Sequence, residues 1–269
     1  MYLICSVYYR RVLFRKIFFE CLKKACDEIN IESSGCDYIF LHFSNKGDHV
    51  KLVIFVGDES VVTQVSSKLE HVIEEFIHLN PSKRKKSLID PNSLFMDFPF
   101  NYYEIVKQNN LDFRLGAVII NDLNFLSFAA ISRLSLFFLE RSNHRPDLRF
   151  DLVFGFIYLY MRFSNYVKSE IKFDYLINSL KRESGLNDHE YIEIVNCALC
   201  FFNDEKQLII EELNLYSHDS VLVDFVKELI SLDSNNNFFF EVVLIISNQV
   251  SVKCVDLLRF VLISTYTVK

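Results

Sequence analysis

The chain carries seven cysteines and seven histidines, the side chains best suited to metal and redox chemistry. Cys197-Ala198-Leu199-Cys200 has the spacing of a zinc or redox pair, but no second C-x-x-C and no histidine pair accompanies it. It falls in an apolar helical stretch, where a free cysteine behaves as a small hydrophobe, and that is how the pair is read. His71 and His78 stand two helical turns apart, too far for one metal, on what reads as a solvated face. G-x-x-x-x-G-K-S/T, G-x-G-x-x-G, G-x-S-x-G and H-E-x-x-H are all absent. The pattern therefore announces no metal, nucleotide or flavin, and neither a cofactor nor a metal site is expected.

Composition narrows the surroundings of whatever chemistry remains. Among 269 residues there are 27 Phe and 13 Tyr but only 6 Gly and 4 Pro, and the net charge is -6. Average usage would give roughly three times as much Gly plus Pro, so turn-dense all-β folds are disfavoured. An acidic balance argues against a nucleic-acid partner. The opening MYLICSVYYRRVLFRK places its charges after the apolar stretch, the reverse of a secretory signal. Apolar runs such as Leu152 to Met161 fall short of the about 20 residues a membrane helix needs. Scattered cysteines in odd number read as reduced thiols, so a soluble cytoplasmic protein with no membrane partner is expected.

The elements that must position any site alternate at first. Residues 1–8 are strand-like, and residues 12–30 place Ile17, Cys21, Leu22 and Ala25 at helical spacing. Residues 37–43 and 49–56 read as two strands joined by Ser44-Asn45-Lys46-Gly47-Asp48, and Ser60 to Leu79 is helical again. Residues 81–101 hold Pro81, Pro91, Pro99 and the basic run Lys83-Arg84-Lys85-Lys86, a long mobile connection. Beyond it the pattern is mainly helical, with helices expected at 122–141, 147–164, 170–182, 188–201, 204–214, 219–231, 237–247 and 251–265. Ser217 or Asp219 could cap the helix near Ser220. The expected class is α+β: a β-α-β-β-α sheet layer over residues 1–80 packed with a mostly helical part over residues 102–269, as one domain.

Three blocks carry a family likeness. FLHFSNKGDHVKLVIF (40–55) resembles the F-x-R-Y-x-x-x-x-x-H-L-R-L-R motif of the C-terminal domain of class I lantibiotic dehydratases and its stand-alone relatives in thiopeptide biosynthesis, through Phe40, Phe43, His49 and Leu52. DFRLGAV (112–118) resembles the family's E-R-Y-G-G block, keeping Arg114 and Gly116. VVLIISNQVSVKCVDLLRFVL (242–262) resembles the H-x-x-x-N-R-L-G segment, with Asn248 in the Asn position. The likeness implies the fold of the dehydratase elimination domain. In that domain arginines and a histidine are implied in eliminating glutamate; here His42, Lys51, Val53 and Leu244 occupy those positions. Elimination needs a base and cationic support, so the eroded set resembles instead the thiopeptide pyridine synthases.

That resemblance implies a cofactor-independent formal aza-[4+2] cycloaddition between two dehydroalanines of a thiazole-bearing precursor peptide. Loss of water and of the leader peptide then yields the macrocycle with its central pyridine. The implied partners are that dehydrated, azoline- or thiazole-modified precursor and other enzymes of the pathway. The alternatives are a glutamate eliminase of a split dehydratase and a non-catalytic scaffold that binds precursor.

The reaction needs proximity, a donor to the imidic tautomer and a proton relay, and Phe and Tyr suit a flat apolar substrate. Arg114 could orient a peptide carbonyl or make a structural ion pair. His49 begins a strand beside the hairpin, in a catalytic or a structural role. His42 could be an acid or base if it faces a cleft, though strand alternation could place it in solvent. Tyr102 and Tyr103 could donate to the imidic oxygen or pack in the core. Ser217 and His218 precede a helix, where capping competes with catalysis. Ser132 could bind substrate or face a neighbouring helix, and Asn248 could fasten a helix end. Lys83, Arg84, Lys85 and Lys86 could hold the acidic, helical leader that the family resemblance implies, or form a solvated loop.

Overall fold

The computed structural model describes residues 1–10, 17–32, 36–43, 48–82, 100–115, 118–143, 155, 173–218, 220–232, 236–249 and 253–268. The expected helix 147–164, the basic run Lys83–Lys86 and Gly116 lie outside or almost wholly outside these residues. The chain divides into two compact units, Met1–Ala129 and Ala130–Lys269. Its mixture of helices with small antiparallel sheets is the α+β class.

The first unit is built on β1 (Tyr2–Tyr8), β2 (Asp37–Phe43), β3 (His49–Phe55) and β4 (Tyr102–Gln108) in the order β2-β3-β1-β4, every pairing antiparallel. β1 is buried along its whole length, as its central place requires. Two helical elements follow the expected order. A π-helical turn (Phe18–Lys23) runs into α1 (Lys24–Glu32), and a 3-10 turn (Glu59–Val61) leads into α2 (Val62–Leu79). Asp58 starts that turn by accepting from the Ser60 amide at 2.9 Å, and the Ser60 hydroxyl first, then this amide, hold its carboxyl below the ordinary range.

Val62, Val65, Leu69, Val72, Ile73 and Phe76 are the buried stripe of α2, spaced as a half-buried helix demands. Both helical elements cover one face of the sheet, the face of Cys5, Phe40 and His42. The Cys21 thiol reaches the Val72 carbonyl at 3.8 Å, and Cys5 feels the thiols of Cys21 and Cys26.

Residues 102–121 carry no expected element yet form strands. After β4 comes a hairpin of β5 (Asp112–Leu115) and β6 (Val118–Asn121). β4 is an edge strand with an exposed, polar pattern, so its period is masked by the residues that keep an edge soluble. Its start is set by Asn101, which takes a left-handed φ of 66°. The Asn101 amide donates to the Tyr8 carbonyl at 2.8 Å, and its side chain bonds both the amide (2.6 Å) and the carbonyl (2.9 Å) of Ser82. One residue thus closes the base of the connection between α2 and β4.

The second unit is helical. α3 (Phe125–Asn143) starts in the first unit and continues into it, followed by α4 (Phe173–Glu183), α5 (Asp188–His218), α6 (Ser220–Leu232), α7 (Asn236–Gln249) and α8 (Cys254–Val268). α8 packs against α4 and α5 through a core that includes Leu180, Ile194, Leu257 and Leu258.

Gly185, at φ 64°, ends α4 in the left-handed conformation common after helices. Asn187 and Glu190 then form a reciprocal cap, each side chain accepting from the other's amide at 3.0 and 2.9 Å. The two helices expected at 188–201 and 204–214 are one helix of 31 residues, because no Gly or Pro interrupts Asp188–His218. Cys197 and Cys200 accordingly sit on a helix as expected, but both are exposed rather than packed as small hydrophobes.

Burial of ionisable groups gives the first unit a pH dependence. Burial, then the Asp122 hydrogen bond, pushes the Tyr2 phenol up to about 12, and burial pushes the Cys21 thiol up to about 12. In the unfolded chain a thiol and a phenol ionise near their ordinary values, about 9 and about 10. Raised folded values mean that these groups add stability in full below about pH 9, and lose it as pH climbs to 12. Urea melts at successive pH values are expected to show the steepest loss in that window, and Tyr2→Phe should flatten part of it.

Candidate functional site

The face of the four-stranded sheet opposite α1 and α2 carries an unusual set of side chains, and strand register fixes which they are. Successive residues point to opposite faces. Phe43 pairs with His49, His49 with Tyr8 and Tyr8 with Tyr102, so four aromatic rings form one row across all four strands. Phe43 and His49 stack with centroids 5.5 Å apart and ring planes 17° from parallel. His49 and Tyr8 are 4.7 Å apart, and Tyr8 and Tyr102 are 5.7 Å apart. Such contacts add about 0.5–1.5 kcal/mol each beyond area burial, so the row is rigid as well as flat.

A second row, polar at three of its four positions, runs beside it: Leu41, Lys51, Ser6 and Glu104 pair across the same strands on the same face. The Lys51 ammonium sits 5.0 Å above the Phe43 ring, a cation–π contact that ties the two rows together. Burial first, then the Glu104 carboxylate, pushes the Tyr8 phenol above its ordinary value, keeping it protonated as a donor. Tyr8 and His49 are buried, whereas Tyr102 is 38% exposed. Tyr102 stands on the edge strand β4, and the cavity of about 490 Å³ that it borders, lined by Ser66, Glu70, Asn101, Tyr103 and Ile105, lies on the helix-covered side of that edge.

The same face is lined further along by Phe113 of β5, 6.3 Å from Phe43, and by Phe125 at the start of α3, 5.2 Å from Tyr2. A neutral phenol donor, an imidazole, a cation and a carboxylate thus stand within two strand rows of one another. Among the described residues no group of three His, Cys, Asp or Glu could hold a metal.

Against this arrangement the expected residues divide. His49 and Tyr102 share the row, joined by Tyr8. His42 is buried on the opposite face, under the helices, and not in solvent as alternation with Leu41 and Phe43 suggested. It pairs with Val50 while Phe43 pairs with His49, so the two histidines point away from each other. Tyr103 also lies on the helix-covered face. Its hydroxyl stands 2.6 Å from Glu74 and 3.2 Å from Glu70, and burial followed by these bonds raises its pKa strongly. Its single proton is committed to α2. Arg114 is exposed on β5, on the opposite side of that strand from Phe113.

The remaining candidates belong to the second unit. Ser132 is fully buried and accepts from Gln249 Nε2 at 2.7 Å, so it fastens α3 to α7. Asn248 is half-buried near the end of α7, beside Gln249. Ser217 and His218 stand just before α6 as expected, and they are themselves the last residues of α5; His218 is exposed. Lys83, Arg84, Lys85 and Lys86 lie outside the described residues.

Tyr8, Ser6 and Glu104 were missed by motif reading. The signal was present in MYLICSVY, where Tyr2, Ser6 and Tyr8 recur at even spacing in a strand that is otherwise apolar.

No family model matches the chain, and no curated protein matches it. Its fold is similar to that of the solved structure described as pyridine synthase, TbtD, from thiomuracin biosynthesis. The TM-score is 0.67 at 12% sequence identity, and the match covers 98% of this chain and 96% of that one. At such low identity the likeness is one of fold. Among the described residues no helix is long and apolar enough to cross a membrane.

Proposed function

We propose that this chain is a thiopeptide pyridine synthase that acts on a dehydrated, thiazole-bearing precursor peptide. The observation that carries the reading is the fold likeness to a pyridine synthase over nearly the full length of both chains. The three sequence blocks at 40–55, 112–118 and 242–262 support it independently. The reaction is a formal aza-[4+2] cycloaddition: one dehydroalanine reacts through the imidic tautomer of its adjoining amide, and the second supplies the other alkene. Two carbon–carbon bonds form; water leaves from the imidic carbon, and the leader departs as an amide, giving the pyridine.

The aromatic row suits this substrate because thiazoles are flat and uncharged, and stacking holds them without desolvating a charge. Tyr8 is assigned to donate to the imidic oxygen, with Tyr102 at the open end of the row guiding the peptide in. His49, beside Tyr8, relays protons as water and amide leave. Lys51 is the cation that steadies developing negative charge on the substrate carbonyl. The chemistry asks for proximity and proton transfer, which these side chains supply.

The test is incubation of the full chain with a linear precursor bearing two dehydroalanines. A mass loss equal to leader amide plus water, with a new pyridine absorbance, is the expected result. Leader binding without product would overturn the reading in favour of a scaffold, and product formed only from a glutamylated precursor would replace it with an eliminase.

A further inference from the structure

Cys197 and Cys200 stand on adjacent turns of α5, both exposed and both free thiols. They belong to a polar line at helical spacing: Glu193, Cys197, Cys200 and Asp204 follow one another at intervals of four, three and four, and all four are exposed. Four such positions share one face of a helix. Ile194 and Ala198, one residue further on and so about 100° round the helix, are buried in the second unit. The thiols are thus presented outward, with a carboxylate one turn to either side.

Helix geometry decides what this pair can do. A rise of about 1.5 Å and a turn of about 100° per residue put the two Cα atoms about 5 Å apart and the Cβ atoms about 5–6 Å apart. A disulfide wants Cβ atoms about 3.5–4.5 Å apart, so closing one asks the helix for a local distortion. A two-coordinate cation bonded to both sulfurs at about 2.3 Å separates them by roughly 4.5 Å, which rotation about the Cα–Cβ bonds reaches without moving the backbone.

The donor set selects the ion. Thiolates favour soft cations. A closed zinc site needs four ligands, and among the described residues no third His, Cys, Asp or Glu joins the pair as a metal ligand. Glu193, itself 3.5 Å from His189, and Asp204 add negative potential without ligating.

We propose that Cys197 and Cys200 form a surface site for one soft monovalent cation, cuprous copper being the physiological example, held between two thiolates that release their protons on binding. The other thiols do not compete on equal terms. Cys5, Cys21 and Cys26 are buried in the first unit, where burial holds them as protonated thiols, and Cys36 and Cys254 are single and half-buried. The site is independent of the cycloaddition reading.

An anaerobic titration with cuprous ion against a chromophoric chelator tests it on the full chain. The wild-type chain is expected to withdraw one ion per molecule from the chelator. Cys197→Ser and Cys200→Ser should each lose that withdrawal, while Cys254→Ser keeps it. Circular dichroism of the two serine variants should match wild type, since both positions are exposed. The proposal fails if the wild-type chain withdraws no copper, or if either serine variant withdraws as much as wild type.

Discussion

Replacing Gln249 by leucine is expected to lower the stability of the second unit by roughly 2–4 kcal/mol, although no charge is lost and the side-chain volume barely changes. Gln249 is fully buried at the end of α7, and so are Ser132 and Ser135 on α3. Its carbonyl oxygen accepts from the Ser135 hydroxyl, and its amide donates to the Ser132 hydroxyl at 2.7 Å. The two serines are three residues apart on α3, so one planar amide reaches both. Leucine would take from both buried serines the bond that Gln249 supplies. Each such loss at a buried hydroxyl costs about 1–3 kcal/mol, and donation back to a carbonyl of its own helix recovers part of that.

The triple variant Ser132→Ala, Ser135→Ala, Gln249→Leu removes the polar groups at all three positions and should regain most of the loss. Urea melts measure this as a midpoint shift at constant slope. A triple variant no more stable than Gln249→Leu alone would mean that packing, and not the loss of these two hydrogen bonds, sets the cost.

The same network marks a limit of reading residues one at a time. Asn248 and Ser132 stood out in the sequence, yet the residue that joins α7 to α3 is Gln249, one position further on. Nothing in the sequence pairs positions 117 residues apart, and only the packing of two helices reveals the partner. The hairpin over residues 37–55 was legible because two apolar, β-rich runs flank a short Gly-containing connection. Its register already implies that His42 and His49 face opposite sides, since Phe43 opposite His49 puts His42 opposite Val50.

β4 was not legible. As an edge strand, with Tyr102, Glu104, Lys107 and Gln108 exposed, it offers too few apolar positions to show its period. The aromatic row was hidden for the same reason. Its four members come from four separate strands, one of which is β4, and register alone brings them together.

On the cycloaddition reading, Tyr8→Phe is expected to lower kcat by about 10²–10³-fold while leaving KM close to wild type, the loss typical of removing one preorganised donor from a developing oxyanion. The substitution removes only the hydroxyl. The ring remains 4.7 Å from His49 and 5.7 Å from Tyr102, so the stacking surface for substrate survives. Tyr102→Phe should cost far less, because Tyr102 is 38% exposed on the edge strand, where a hydrogen bond is worth little. Lys51→Met should fall between them, since the ammonium already rests against Phe43 and shares its charge with that ring.

The pH profile separates a donor from a structural phenol. Burial and the Glu104 carboxylate raise the Tyr8 pKa, so the hydroxyl stays protonated until pH passes the ordinary phenol value of about 10. Activity that depends on this donor is therefore retained through neutral and mildly alkaline pH and lost only above it. Tyr8→Phe should abolish that alkaline limb along with the rate. A wild-type chain that makes no pyridine from the linear precursor would remove the cycloaddition reading altogether. A wild-type chain that makes pyridine, with Tyr8→Phe equally active, would keep the reaction and remove Tyr8 from it, leaving His49 and Lys51 as the polar groups of the row to be tested in turn.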